Sequence, residues 1–231
     1  MSARVGFRPE FLDFRRGIHV GNLEENGRIT RILKLALEER YGQPFITERW
    51  GRGVYWRWIA FLARANREAK PVSSHVSFGC AKYFIAIDPE EGLFKCGLQV
   101  ERGYLKAPRG YRDWQMQPDW DWNRLVQAMR PGSFLAKELR RLAGEGFHIY
   151  PEILTAKGEP VSRPSVTKLK RILLAAPAGE WAWFQVYYPM TESDVRVASG
   201  ADLVDSMLAV FDEVTAILNL CMQIELPEAP R

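Results

Sequence analysis

His75-Val76-Ser77-Phe78-Gly79-Cys80-Ala81-Lys82-Tyr83-Phe84-Ile85-Ala86-Ile87 and Leu93-Phe94-Lys95-Cys96-Gly97-Leu98-Gln99-Val100-Glu101 flank the segment Asp88-Pro89-Glu90-Glu91-Gly92. Two runs rich in aromatic and β-branched residues, joined by a short loop of turn-forming residues, predict an antiparallel hairpin. Gly79 and Gly97 lie inside the runs, where a missing side chain marks a bulge or a close backbone approach. A further β region begins near Val54 and passes through Trp56 and Trp58, giving a meander of about three strands. Periodicity leaves helix open for residues 58–69.

Helices surround this sheet. Residues 8–16 predict a short helix, and Asn22 with Glu25 forms a capping box for a longer one. In that longer helix Ile29, Ile32, Leu33, Ala36, Leu37 and Tyr41 recur at helical spacing, Arg28, Arg31, Glu38 and Glu39 take the other face, and Gly42 with Pro44 stops it. Residues 121–130 and 133–143 predict two more helices, the second capped by Ser133 and ended by Gly144. Strands follow at 147–154 and 181–188, with a turn or hairpin connection over 155–164. A segment of unsettled type spans 165–174, and a long apolar-faced helix covers 201–221. The pattern predicts one α+β domain over residues 1–226, with a central, mainly antiparallel sheet packed by helices, and a disordered C-terminal tail at 227–231.

The chain has 231 residues, 47% hydrophobic and 26% charged, which excludes the low-hydrophobicity balance of disordered proteins. No run approaches the length of a membrane span, and the N-terminus lacks the apolar core of a secretory signal, so a cytoplasmic location with no membrane partner is expected. Cys80, Cys96 and Cys221 are odd in number and widely spaced, as for reduced, buried thiols. The net charge is +4, and residues 1–70 hold fourteen Arg or Lys against eight Asp or Glu. That surplus of six leaves the remaining 161 residues at minus two. Either an anionic partner or an ordinary solvated surface accounts for it.

Motifs of the common chemistries are missing. His19, His75 and His148 lack ligand-spaced neighbours, so no metal is expected. There is no nucleophile elbow beside Ser73, Ser74 and His75, no glycine-rich phosphate cradle, and no cofactor motif. Whether the protein is an enzyme stays open.

What remains is Arg49-Trp50-Gly51-Arg52-Gly53-Val54-Tyr55-Trp56-Arg57-Trp58, where guanidinium groups and flat rings alternate, followed by Arg64, Arg67 and Lys70. Such residues bind an anionic ligand or partner, with nucleic acid among the candidates, through stacking and phosphate contacts. In the competing reading the aromatics fill the core and the arginines pair with Glu48 and Glu68. Strand alternation places Trp56 and Trp58 on one face; if that face is the core, the exposed set is Arg49, Arg52, Tyr55 and Arg57. A second aromatic group, Tyr104, Tyr111, Trp114, Trp120 and Trp122, falls in a polar loop and suggests an alternative, an enzyme acting on a small molecule in a cleft with Arg64, Arg67, His75 or Glu101 nearby. A third reading makes the aromatic surface an oligomer interface; the sequence does not give the oligomeric state.

Several segments in order resemble the bacterial domain-of-unknown-function family 2461. They are Phe7-Arg8-Pro9-Glu10-Phe11-Leu12-Asp13-Phe14, the basic stretch from Arg64 to Pro71, the hairpin with Tyr83, Phe84 and Ile85 before its turn and Gly97-Leu98 after it, and the run from Arg171-Ile172-Leu173-Leu174 through Trp183-Phe184 to the final helix. Asn22 to Asn26 and Glu68-Ala69-Lys70-Pro71 only partly match the family's asparagine-rich and Asp-Lys-x-x-Tyr-Lys segments. The resemblance implies an α+β fold with a central antiparallel sheet and supplies no activity.

Overall fold

The structure, a computed structural model, describes residues 6–21, 28–70, 80–102, 117–153 and 164–227. It is an α+β protein built on one antiparallel sheet of eight strands: β1 (Leu12–Asp13), β2 (Gly17–His19), β3 (Phe45–Arg52), β4 (Tyr55–Ala63), β5 (Ala81–Asp88), β6 (Leu93–Glu101), β7 (His148–Ile153) and β8 (Ala182–Thr191). Strand order is β1-β2-β4-β5-β6-β8-β7, with β3 on the other edge of β4. Along the edge of β4 that β3 leaves, β2 pairs at Tyr55 and Trp56 and β5 at Trp58 to Phe61, so among the described residues β3 is an outer strand. The helices are α1 (Ile29–Tyr41), α2 (Arg64–Glu68), α3 (Asp121–Ala128), α4 (Phe134–Gly144), α5 (Val166–Ala175), α6 (Glu192–Val197) and α7 (Gly200–Cys221).

The hairpin of β5 and β6 forms as its sequence dictates, in register from Ala81 opposite Val100 to Asp88 opposite Leu93. Gly97 is a true close approach: a Cβ there would strike the Val186 carbonyl and lie 2.6 Å from Tyr187 Cα. In α1 the six apolar residues named above are all buried, and Gly42 takes the left-handed conformation at φ 62° as it ends the helix. Ser133 caps α4 by accepting from Ala136 N. The unsettled 165–174 segment is helical because Ser165 caps it and Val166, Leu169 and Leu173 reach the core. Residues 58–63 are strand, and the helix that periodicity allowed there is confined to α2.

Residues 8–16 depart from expectation. A single 3-10 turn at Pro9–Phe11 gives way to β1, and the Asp13 carboxylate accepts from Arg15 N and Arg16 N to make the turn into β2. Tight-turn chemistry at Asp13 and Gly17 outweighs a weak helical pattern. The proposed capping box at Asn22 and Glu25, Gly79, the 155–163 connection and the tail beyond Pro227 lie outside the described residues.

The two faces of the sheet differ. On the front face Phe61, Tyr83, Ile85, Cys96, Leu98, Phe184 and Val186 join one core with α1, α3, α4, α5 and α7. Tyr83 Oη, Thr215 Oγ1, Tyr41 Oη and the Asp212 carboxylate form a hydrogen-bonded chain linking β5, α7 and α1, and burial pushes the Tyr41 hydroxyl up to about 12. On the back face apolar Ala60, Leu62, Phe84 and Tyr187 are interrupted by fully sequestered charge. Lys82 Nζ lies 2.9 Å from Glu48 and 2.8 Å from Glu101; burial opposes its charge, but the two carboxylates hold it protonated. Gln99 donates to Glu101 and accepts from Trp58 Nε1 and Gln185 Nε2, which completes the network. All three cysteines are free and buried. Among the described residues no helix is long and apolar enough to cross a membrane.

A second buried pair ties the end of α2 to the starts of β5 and α3 and to the segment after α7. The Asp121 carboxylate lies 2.8 Å from Lys70 Nζ and accepts from Asn66 Nδ2 and Ala81 N, and Asn66 Oδ1 accepts from Gln223 N just beyond α7. Both charged side chains have no exposure. Asp121→Ala strands the Lys70 ammonium and is expected to cost about 3–5 kcal/mol, read as a lower urea midpoint. Arg141→Ala, which removes an exposed ion-pair cluster with Glu138, Glu145 and Glu213, is expected to cost under about 1 kcal/mol in the same measurement.

Asp88 offers a pH test. Burial pushes its carboxyl up, but the hydrogen bond and charge of Lys95, with the backbone N–H groups of Glu91 and Glu90, leave it below its ordinary 3.8. A folded value below the unfolded one means that the stabilisation is complete above the unfolded value and is lost as pH falls through the folded one. Asp88→Asn is therefore expected to lower the urea midpoint at neutral pH and to flatten its fall on acidification.

Candidate functional site: the β3–β4 hairpin

Gly53 and Val54 alone join β3 to β4, and Gly53 supplies the positive φ, 59°, that a type II′ hairpin turn requires at its first loop position. Trp50 pairs with Trp58, but Gly51 pairs with Trp56, so Arg57 is an extra residue in β4. This bulge reverses the alternation. Trp56 turns to the front core and is 9% exposed, while Trp58 packs on the back face. The expectation that the two tryptophans share a face is thereby corrected: one inserted residue shifts a period-two pattern by half a period. Gly51 makes the bulge feasible, since a Cβ there would lie 2.5 Å from Trp56 Cα and 2.7 Å from the Tyr55 carbonyl oxygen.

Arg49, Arg52 and Arg57 are exposed, and Tyr55 is half-buried. None of the three arginines has an ion-pair partner among the described residues. Arg49 lays its guanidinium 4.5 Å from the centre of the Trp56 ring system, on the front side of the sheet edge. Arg52 and Tyr55 are cross-strand partners, and His19 of β2 is the next partner in that row. The His19 and Tyr55 rings meet edge-on at 5.0 Å. Arg16, from the β1–β2 turn, sits 5.5 Å over the Tyr55 ring and donates to Tyr55 Oη at 3.3 Å. One pleat along, Trp50 stands 67% exposed. The paired set is thus Trp50 and Trp58, then Arg52, Tyr55 and His19, all on the back face, with Arg16 closing the end.

Beside the front edge a depression of about 190 Å³ is lined by Arg28, Thr30, Arg31 and Lys34 of α1 and its cap, with Thr47 of β3. Thr47 lies one pleat from Arg49 on the same face, so this basic ground adjoins the hairpin. Lys34 is shared with Glu38 at 3.5 Å. Sequence reasoning missed Arg16, because the turn that presents it was assigned to a helix, and it set Arg28 and Arg31 aside as an ordinary solvated helix face.

Other expected site residues separate from the hairpin. Arg64 is exposed at the far end of β4, where the strand runs into α2. Arg67 is 7% exposed and Lys70 is sealed against Asp121, so these two do not join Arg64 in one basic surface. Glu101 is closed in with Lys82, and Trp120 and Trp122 are buried. His75, Tyr104, Tyr111 and Trp114 lie outside the described residues. Among the described residues no three His, Cys, Asp or Glu side chains gather as metal ligands.

Gly51→Ala should force the hairpin apart at the bulge and is expected to cost about 1–3 kcal/mol. Its second signature is increased quenching of tryptophan fluorescence by iodide as Trp56 loses its seat. Compared with family models and with curated proteins, the chain has no match.

Proposed function

We propose that the protein binds an anionic ligand or partner through the β3–β4 hairpin. The observation that carries this is the contrast between buried and exposed cations. Lys70, Lys82 and Lys95 are each matched to carboxylates at 2.8 Å, whereas Arg49, Arg52 and Arg57 project from one two-residue hairpin with no carboxylate at ion-pair distance among the described residues. Unpaired guanidinium groups on a rigid strand pair retain their full field and their planar donors for an incoming anion. Arg16, which shares Asp13 at 3.9 Å, stands over Tyr55 at the end of the same hairpin. The resemblance to the domain-of-unknown-function family is compatible with this reading and adds no chemistry to it.

Retention on an immobilised sulfated polysaccharide, heparin, tests the reading without presuming the ligand. Replacing Arg49, Arg52 and Arg57 together by alanine is expected to lower the eluting salt concentration clearly more than replacing Arg130, Lys137 and Arg171, which are also exposed but lie on other elements. Equal shifts for the two triple variants would show that only net charge matters and would overturn the reading.

A further inference from the structure

Beyond general anion binding, and resting on it, the geometry points to single-stranded nucleic acid as the ligand of this surface, laid across the back face of β3, β4 and β2. Cations alone would serve a free phosphate or an acidic peptide, and they do not account for Trp50. An indole 67% exposed on a hairpin whose Trp56 is buried and whose Trp58 is half-buried leaves a large apolar plane in water. Its neighbours are the residues that contact nucleotides: Arg52 and Tyr55 one pleat further along the same face, then His19, with Arg16 over the Tyr55 ring. Adjacent rows on one face are about 7 Å apart, a separation that successive nucleotides of an extended strand can span. A base on Trp50 would leave the next base near Tyr55, with Arg52 between them and Arg16 beyond.

This is the mixture that recognises unpaired bases: aromatic faces stack bases whatever their identity, and guanidinium groups track the backbone. Duplex fits poorly, because its bases are already stacked and cannot lie on Trp50. The hairpin also holds the platform rigidly. Trp58, the partner of Trp50, is fixed by its Nε1 bond to Gln99, so stacking need not order the strand beneath it.

The test uses the full chain and a fluorescein-labelled twelve-nucleotide oligothymidylate at low salt, followed by anisotropy, with inorganic polyphosphate of matched charge as competitor. Expected are saturable binding, weak competition by polyphosphate, and a loss of about ten-fold or more in affinity for Trp50→Ala, with Trp50→Phe keeping most of it. Replacing Arg16 and Arg52 by alanine should reduce the slope of log affinity against log salt by roughly 1.4, as loss of two phosphate contacts implies. Trp50 is exposed, so its variants should melt with the parent protein; Tyr55→Leu gives the same reading at the second row should a Trp50 variant not fold. If polyphosphate competes on equal terms, or if Trp50→Ala and Tyr55→Leu bind oligothymidylate as the parent does, the nucleic-acid inference is overturned while heparin retention still supports anion binding. Loss of the hairpin-specific heparin shift as well would remove both.

Discussion

Strand β4 carries one residue more than its partner β3, and both the core and the candidate site depend on where that residue falls. With Arg57 inserted between Trp56 and Trp58, the strand can send Trp56, Ile59, Phe61 and Ala63 to the helical core while Trp58, Ala60 and Leu62 face the other way. An unbroken alternation would place either Trp56 or the Ile59 set on the wrong face. The bulge also sets the tip: beyond it, Arg52 and Tyr55 return to the back face beside Trp50, where Arg16 and His19 meet them. Gly51 is the condition for this arrangement, because the two backbones approach there too closely for any Cβ.

The back face then has a graded character. Toward the middle of the sheet it holds Lys82 between Glu48 and Glu101, with Gln99 and Gln185 saturating the remaining hydrogen-bonding positions. Such a buried ionic network contributes little net stability, because desolvation offsets most of the attraction. Its effect is geometric: Glu48 reaches from β3 to β5 and Gln99 from β6 to Trp58, so strands that are not all neighbours are held in one register. Toward the hairpin the same face carries Arg52, Tyr55, His19 and Arg16, the last sharing Asp13 at 3.9 Å. A centre in which Lys82 is matched to two carboxylates thereby adjoins a margin of exposed arginines.

Much of this was legible in the amino-acid sequence where a single local rule decided the outcome. The 81–101 hairpin, the six-residue apolar stripe of α1, the Ser133 cap and the apolar face of α7 required only turn chemistry and periodicity. Legibility stopped where tertiary contacts decide. Strand β3 shows little alternation because most of its residues are exposed, so its pattern carries no period. Lys70 has the composition of a surface residue in a basic run, yet Asp121, distant in sequence, makes burial feasible. A bulge leaves no signature beyond a nearby glycine, and the chain offers two, Gly51 and Gly53, of which one makes the turn and the other the bulge.

An outer strand studded with arginine has a second physical meaning, since charge on an exposed edge keeps sheets from pairing with one another. Edge protection is a second use for the charge of Arg49, Arg52 and Arg57. It does not account for Trp50. A strand designed only to resist association gains nothing from an indole two-thirds in water, which is among the surfaces most prone to stick, and a charged or small residue there would protect better. Single exposed apolar residues such as Leu174 and Val197 occur elsewhere on the surface; Trp50 differs in standing on one face with Arg52, Tyr55 and His19. Under the proposed reading, the arginines around it suit a partner that is both anionic and flat.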